Sequence, residues 1–435
     1  MDLTEEYRNK LVTAEEAVKS IRSGDRIFLA INSSAPFTLI DALWERHDEL
    51  ENVVLGASTL MRPVKVFTEK ENNPFGMTSP FLGPVERCAM KIGLPSEYTS
   101  FHLSQVDTWV YDVCRPNVAF MQVSPPDENG NMSLGPSGNC IGKYLMETAD
   151  RIILEVNRQV PYVYGIDGYI NASQADYIVE ADYMLPPTPQ GDFDKTTEEI
   201  AANVLREIPD GATLQLGIGL LSSAIGYGLS DRNDLGVFSE MFSPSLMYLM
   251  KNGNITNKAK GFHDGISVFS FASGTQEMYE FMDHNKDLLS APFPYINDAR
   301  NIAKNNRMIS VNSAMSVNLF GETAADCIGF HQQSAVGGQL DYVRGAQWSP
   351  GGKSIIALAS SFEKNGKRES KIVLDFPLGT PATTPRSDIQ YVATEYGIVN
   401  LKPLTTRERA LALIELAHPD FRDELKDQAK RAGLI

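Results

Sequence analysis

The sequence predicts two related open α/β domains, each with a largely parallel sheet covered by helices. One pattern of helix, glycine stop, strand, turn and helix occurs twice, and short apolar strands alternate with helices elsewhere. Residues 185–192, which are rich in proline and glycine, separate the two copies. At 435 residues the chain also exceeds the usual size of a single core. We therefore expect an N-terminal domain over residues 1–187 and a C-terminal domain over 188–435.

The first copy begins at Thr13, where Thr-Ala-Glu-Glu resembles a capping box. Gly24 stops this helix, and the apolar residues 26–31 predict a buried strand. A turn rich in serine then leads into a helix ending near His47. Residues 53–55 are predicted to form the second strand.

The second copy begins with a helix near Thr197, which Gly211 stops. Residues 213–218 then predict its first strand. A turn of glycine and serine leads into a helix ending near Leu229, and residues 236–238 form the next strand. Residues 24–43 align with residues 211–230 without a gap. The pattern is common in α/β proteins, but its gapless recurrence favours a duplication.

Further elements continue the alternation of strands and helices. Two C-terminal helices are expected between residues 405 and 434, separated near Pro419. Additional strands are predicted at residues 117–123, 151–156, 267–271, 308–311, 355–359 and 371–375.

Composition narrows the classes of function. The chain has 39 basic and 55 acidic residues, a net charge of −16, which argues against non-specific binding to nucleic acid or to an anionic membrane surface. No apolar run reaches the roughly 20 residues that span a bilayer, and the acidic N-terminus is not a targeting signal. The four cysteines lack metal-binding spacing and favour a reducing compartment. We expect a cytoplasmic protein with no metal, nucleic-acid or membrane partner.

The strongest candidate for chemistry is Glu240, which follows a short apolar run. A carboxylate at the end of a strand can act as a nucleophile or a base. Two glycine-rich turns, at residues 216–220 and 337–339, can present backbone N–H groups to an oxyanion. Together these features indicate acyl transfer, provided that the fold brings them together.

Other interpretations of these residues are weaker. Gly217 and Gly219, followed by Glu240, also resemble part of a dinucleotide-binding fingerprint, but Ser222 stands where the third glycine belongs. His263 and His331 lack the spacing of metal ligands. No serine lies in a recognisable triad pattern.

Six segments, taken together and in this order, resemble the acetyl-CoA hydrolase/transferase family, a branch of the class I coenzyme A transferases. The chain length is similar to that of the family's 4-hydroxybutyrate and butyryl-CoA:acetate transferases. The segments are residues 124–130, 214–219, 239–241, 295–298, 337–346 and 394–397.

The resemblance implies that CoA moves between a short-chain acyl-CoA and a carboxylate such as acetate, butyrate or 4-hydroxybutyrate. It implies a ping-pong reaction through a glutamyl-CoA thioester at Glu240. The backbone N–H groups of Ile218 and Gly338 would hold the two oxyanions, and Asn297 would orient Glu240. The expected CoA-binding residues are Gly217, Ile218, Gly219, Gly337, Gly338 and Gln339.

The resemblance also implies a homodimer without a tightly bound cofactor, since CoA is a substrate. An acetyl-CoA hydrolase of the same fold and a non-catalytic acyl-CoA-binding protein remain alternatives. The sequence does not identify the preferred acid. The expected residues on the acid side of the site are Asn32, Ser33, Ser34, residues 61–77 and the loop at residues 125–126.

Overall fold

The computed structural model describes residues 5–189 and 191–435. These residues form two compact units. The first contains the described residues up to Pro189 together with Phe242–Pro244 and Val268–Ile296. The second contains residues 191–241, together with Ser245–Ser267 and Asn297–Ile435.

The first unit contains a seven-stranded sheet in which every neighbouring pair is parallel. Continuous apolar sequence explains its burial, since the strand Val118–Val123 is buried at all six positions. From one edge to the other the strands are Ser96–Tyr98, Phe75–Ser79, Val53–Gly56, Arg26–Leu29, Val118–Val123, Arg151–Asn157 and Tyr177–Ala181.

Two helices of the first unit show the local signals that start or end a helix. Thr13 and Glu16 form the expected capping box, and a left-handed Gly93 ends a helix that starts at Pro84. The α-helices are Glu5–Lys10, Ala14–Val18, Phe37–Trp44, Lys65–Thr68, Pro84–Ile92, Val106–Thr108, Gly135–Gly138, Gly142–Thr148, Gln276–Met282 and Phe293–Ile296. Shorter elements are the 3-10 turns Asn32–Ser34, Leu103–Gln105 and Ala172–Gln174, the π-helix Trp109–Cys114, and the strands Asn131–Ser133, Tyr169–Asn171, Ser267–Ala272 and Leu288–Ser290.

The second unit contains six neighbouring strands of a second sheet, and among these six only the last pair is antiparallel. In spatial order they are Gly236–Phe242, Thr213–Leu216, Met308–Ser313, Lys353–Ala357, Tyr391–Thr394 and Gly397–Asn400. The predicted class, two α/β domains with largely parallel sheets covered by helices, is confirmed.

Helices surround this second sheet, and several short strands extend its loops. The helices are Lys195–Leu205, Leu220–Gly228, Pro244–Lys251, Ala299–Ala303, Gln339–Trp348, Thr406–Leu416 and Pro419–Arg431. The short strands are Ser316–Asn318, Thr323–Ala324, Cys327–Ile328, His331–Gln332, Ser361–Lys364, Lys367–Ser370 and Ile372–Val373. No helix in the described ranges combines the length and apolar character needed to cross a membrane.

The two sheets share a strand order, which supports the predicted duplication. In each, the second strand of the repeat pairs with one edge of the first, and a later strand, Val118–Val123 or Met308–Ser313, pairs with its other edge. The turn after the first strand has a positive φ at matching positions, 54° at Asn32 and 111° at Gly219. Asparagine and glycine are the residues that tolerate this conformation best.

One predicted strand is shorter than expected. Of residues 371–375, only Ile372–Val373 pairs, and it joins a small sheet beside Ser316–Asn318. Ile372 is buried, whereas the charged Lys371 and Asp375 at the ends of the run are not.

The parallel strands of the second unit all end at the same side of its sheet, which we call the carboxyl edge. Ligands of open α/β sheets bind beyond such edges, where the loops that follow the strands meet. Here the carboxyl edge carries the residues that follow Leu216, Ser313, Ala357 and Thr394, together with the last residues of Gly236–Phe242.

Candidate active site

Glu240 lies near the end of the strand Gly236–Phe242, at the carboxyl edge. The strand forms because its first residues are apolar and fully buried, whereas Glu240 itself is half-buried. Successive residues of a strand face opposite sides, so Glu240 shares a face with Phe238. A carboxylate is thereby held on a rigid element beside the loops of the edge.

Asn297 and Gly338 both contact the Glu240 carboxylate. The Asn297 side-chain amide donates a hydrogen bond to Glu240 Oε1. The Gly338 backbone N–H donates another. A Cβ atom built on Gly338 would overlap Glu240 Oε1 and Asn297 Nδ2 and would lie 2.8 Å from Glu240 Cδ. The structure therefore brings together three of the four residues predicted to be catalytic.

Gly338 is needed here for close approach rather than for its backbone conformation. Its φ of −101° and ψ of 14° are accessible to other residues. Gly338 caps the ten-residue helix Gln339–Trp348, and the N–H groups at a helix start have no partner within the helix. The carboxylate of Glu240 thus lies where backbone donors are available.

The surroundings of Glu240 alter its acidity. Burial raises the pKa of Glu240 to about 7, and the nearby charge of Asp341 acts in the same direction. The hydrogen bonds from Asn297 and Gly338 oppose this rise because they stabilise the ionised form. A carboxylate with this pKa is partly ionised near neutral pH, and its charge is poorly solvated.

The predicted turn of Gly217, Ile218 and Gly219 follows the neighbouring strand. Thr213 pairs with Gly236, so the same register continued along both strands puts Gly217 level with Glu240. Adjacent strands are about 4.8 Å apart. Ile218 is 57% exposed, and Gly219 caps the helix Leu220–Gly228 with its φ of 111°. The turn therefore shares the carboxyl edge with Glu240 and is open to a ligand.

Gly337 and Gln339 complete the second turn. Gly337 is left-handed, with φ of 61°. Gln339 is buried, and its side-chain amide donates to the backbone oxygen of Ser313 at 3.2 Å. This bond ties the start of the helix to the end of the strand Met308–Ser313.

Sequence reasoning missed several polar groups beside the site. Asp341 and Tyr342 follow Gly338 on the same helix, and the buried Tyr342 hydroxyl has no hydrogen-bond partner among the described residues. Gln215 and Asn312 form a reciprocal pair of amide hydrogen bonds, each 3.1 Å long, between buried strands. For Gln215 and Asn312, the sequence does contain a signal, because each is a polar residue inside a largely apolar strand.

The first unit contains the residues expected on the acid side. Ser33 and Ser34 are fully buried. The Ser33 hydroxyl contacts the Ser137 hydroxyl and donates to the Ala272 oxygen, and the Ser34 hydroxyl accepts from the Ser137 N–H. These internal contacts do not fit the expectation that both serines line an acid pocket.

A cavity of about 740 Å³ lies within the first unit. The predicted loop Pro125–Pro126 lines it together with Tyr162 and His284, and no predicted catalytic residue does. In the described ranges, no group of three or more histidine, cysteine, aspartate or glutamate side chains could hold a metal ion.

Comparison with known proteins identifies the family. The acetyl-CoA hydrolase/transferase N-terminal domain matches residues 1–188, and the C-terminal domain of the same family matches residues 274–429. 4-Hydroxybutyrate coenzyme A transferase from Clostridium kluyveri is 38% identical over 435 residues, covering 99% of this chain and 100% of the relative. This chain belongs to the acetyl-CoA hydrolase/transferase family.

Other relatives agree with the assignment. Butyryl-CoA:acetate CoA-transferase from Anaerostipes caccae is 37% identical, covering 100% of this chain and 99% of the relative. The crystal structure of RipA from Yersinia pestis superimposes with a TM-score of 0.92 at 36% identity and full coverage of both chains. Acetyl-CoA hydrolase from Yarrowia lipolytica is more distant, at 22% identity over 73% of this chain. The protein is thus an enzyme, a CoA-transferase that acts on CoA thioesters.

Proposed function

We propose that this CoA-transferase exchanges CoA between a short-chain acyl-CoA and a carboxylate through a glutamyl-CoA thioester at Glu240. The observation that carries the proposal is the packing of the Glu240 carboxylate against the Gly338 N–H and the Asn297 amide. A nucleophile needs an ionised group beside donors that accept developing charge. Glu240 has both.

The first half of the exchange consists of two acyl transfers. A Glu240 oxygen attacks the acyl carbonyl and the carbon–sulfur bond breaks. The products are an acyl-glutamyl anhydride and the CoA thiolate. The thiolate then attacks Glu240 Cδ and expels the first acid as its carboxylate, which leaves the glutamyl-CoA thioester. A second carboxylate reverses these steps, so no proton or external energy source is consumed.

Two oxyanions form on this route, and the two turns offer a donor for each. Gly338 lies against Glu240 Cδ, so its N–H suits the oxyanion of the glutamyl carbonyl. The Ile218 N–H, at the level of Glu240 on the next strand, suits the oxyanion of the acyl group. Losing one such donor typically lowers the rate by about 10²–10³.

Asn297 should set the pH dependence of the first step. Only ionised Glu240 can attack, so formation of the covalent intermediate should rise as pH passes upward through about 7. Asn297→Ala removes a donor that lowers the pKa of Glu240, so the midpoint should move to higher pH. Single-turnover rates between pH 5.5 and pH 9 measure this shift. An unchanged midpoint would contradict the role of Asn297.

The names of the relatives support short-chain acids as substrates, including 4-hydroxybutyrate, butyrate and acetate. A panel of carboxylates with acetyl-CoA as donor tests this class. We expect new acyl-CoA to form much faster than free thiol is released. Release of thiol without acyl exchange would favour an acetyl-CoA hydrolase, and binding without either reaction would favour a non-catalytic acyl-CoA-binding protein.

The domain boundary at residue 187, the homodimer and the cytoplasmic location stay predictions. Of the predicted CoA-binding residues, we retain Gly217, Ile218, Gly219, Gly337 and Gly338 as the backbone wall of the CoA groove, and assign Gln339 to the support of that wall.

A further inference from the structure

Lys371 is a half-buried cation at the carboxyl edge of the second unit. Its backbone N–H donates to the oxygen of Ser360 at 2.8 Å, and its own oxygen accepts from Val317 at 2.9 Å. Ser360 follows the strand Lys353–Ala357, and Val317 follows the strand Met308–Ser313. The Lys371 backbone is therefore fixed between the loops that leave two neighbouring strands of the sheet.

The Lys371 ammonium makes no hydrogen bond or ion pair within the described residues, although it lies 6.0 Å from the centre of the Phe362 ring. Burial lowers the pKa of Lys371, because the charged form loses solvent. The attraction of Glu395 opposes this change. A cation in this position lacks the pairing that usually accompanies burial.

Glu395 makes no hydrogen bond or ion pair with Lys371, and both of its carboxylate oxygens contact Ser360. One of its carboxylate oxygens accepts from the Ser360 hydroxyl at 2.5 Å, and the other accepts from the Ser360 N–H at 2.9 Å. Glu395 belongs to the segment 394–397, one of the six that resemble the family. Its contacts brace the loop beneath Lys371 and leave the ammonium available to an anion.

The span from Glu240 to the region of Lys371 matches the reach of the phosphates of CoA. Three strand spacings of about 4.8 Å separate the strand of Glu240 from Lys353–Ala357, or roughly 14 Å. The pantetheine arm of CoA has about 13 bonds between sulfur and the first phosphorus, the length of roughly four peptide residues, or about 14 Å when extended. A CoA whose sulfur lies at Glu240 can therefore bring its phosphates to the region of Lys371.

We propose that Lys371 binds a phosphate group of CoA, either the pyrophosphate or the 3′-phosphate, at the carboxyl edge of the second unit. This inference rests on the proposed function, since it assumes that the sulfur of CoA reaches Glu240. It adds the ionic contact that an enzyme with a net charge of −16 needs for a polyanionic substrate.

Transfer kinetics with three donors test the proposal. Acetyl-CoA carries both the pyrophosphate and the 3′-phosphate. Acetyl-dephospho-CoA carries only the pyrophosphate, and S-acetylpantetheine carries neither. Lys371→Met should lower kcat/KM for acetyl-CoA about tenfold, mainly through KM, because a charged hydrogen bond is lost. S-acetylpantetheine should react equally with both proteins. Retained sensitivity with acetyl-dephospho-CoA assigns the pyrophosphate, and lost sensitivity assigns the 3′-phosphate.

Lys367→Met is the matched control, because Lys367 is exposed on the hairpin that precedes Lys371. It should leave all three donors unaffected. An unchanged kcat/KM of Lys371→Met with acetyl-CoA would overturn the proposal. An equal loss with S-acetylpantetheine would also overturn it, since the residue would then act through the structure of the edge.

Thermal unfolding with CoA separates this inference from the proposed function. CoA should raise the Tm of the wild-type protein and of Lys367→Met more than that of Lys371→Met. Equal stabilisation of all three proteins would overturn only the role of Lys371. No stabilisation of any of them, combined with no transfer, would contradict the proposed function itself.

Discussion

Replacing Glu240 with glutamine should abolish CoA transfer while the protein stays folded. The amide keeps the volume of the side chain but cannot form the anhydride or the thioester, so a loss on the order of 10⁴-fold or more is expected. The Tm of the Glu240→Gln variant should equal or exceed that of the wild-type protein, because burial disfavours the charged form of Glu240. Initial rates of acyl exchange, with Tm as the check on folding, measure both effects.

Glu240→Ala provides the companion variant, since it also removes the acceptor for the Asn297 amide. Both variants should be inactive to a similar extent if covalent chemistry is what is lost. Substantial transfer by either variant would mean that the nucleophile is another group.

Replacing Gly338 with valine should produce the second-largest loss of activity. Even its Cβ would overlap the Glu240 carboxylate and the Asn297 amide, which displaces the nucleophile from its donors. We expect turnover to fall by about 10²–10³ or more, with a smaller effect on stability because the backbone conformation of Gly338 suits other residues.

Gly345→Val is the matched control on the same helix. A Cβ atom at Gly345 would meet Ile302 and the backbone oxygen of Ala299, so this variant should lose stability through packing. Folded Gly345→Val should retain more activity per molecule than Gly338→Val. If both variants lose folded protein and activity in parallel, Gly338 is only a structural turn.

Much of the fold could be predicted because its signals are local. Thr13 begins the predicted capping box, and Pro419 starts the last helix as expected. Glycine stops and apolar runs located most strands of both sheets. The short pairing at Ile372–Val373 could not be predicted, because it depends on a partner strand distant in sequence.

The candidate site was predicted by residue type and only partly by geometry. Glu240 and Asn297 lie 57 positions apart in the chain, so their hydrogen bond depends on tertiary packing. The family resemblance predicted roles for both residues, whereas only the structure shows that they are in contact. Ser33 and Ser34 show the opposite case, since polar residues in a turn proved to be buried and satisfied inside the first unit.

The residues that tune the site were not visible in the sequence. Asp341 affects Glu240 only because the helix Gln339–Trp348 begins beside the end of the strand Gly236–Phe242. A sequence pattern specifies the helix but not which strand its first turn approaches. The location of Lys371 at the carboxyl edge could not be predicted for the same reason, since it depends on backbone contacts with Ser360 and Val317.

Direct detection of the covalent intermediate is the most immediate test of the central claim. The enzyme is incubated with acetyl-CoA without an acceptor acid, reduced with borohydride and digested for mass spectrometry. We predict that the thioester is reduced to an alcohol on the peptide containing Glu240, and that prior addition of acetate prevents this change. An active enzyme whose Glu240 peptide remains unmodified, or whose modification lies on another residue, would contradict the account.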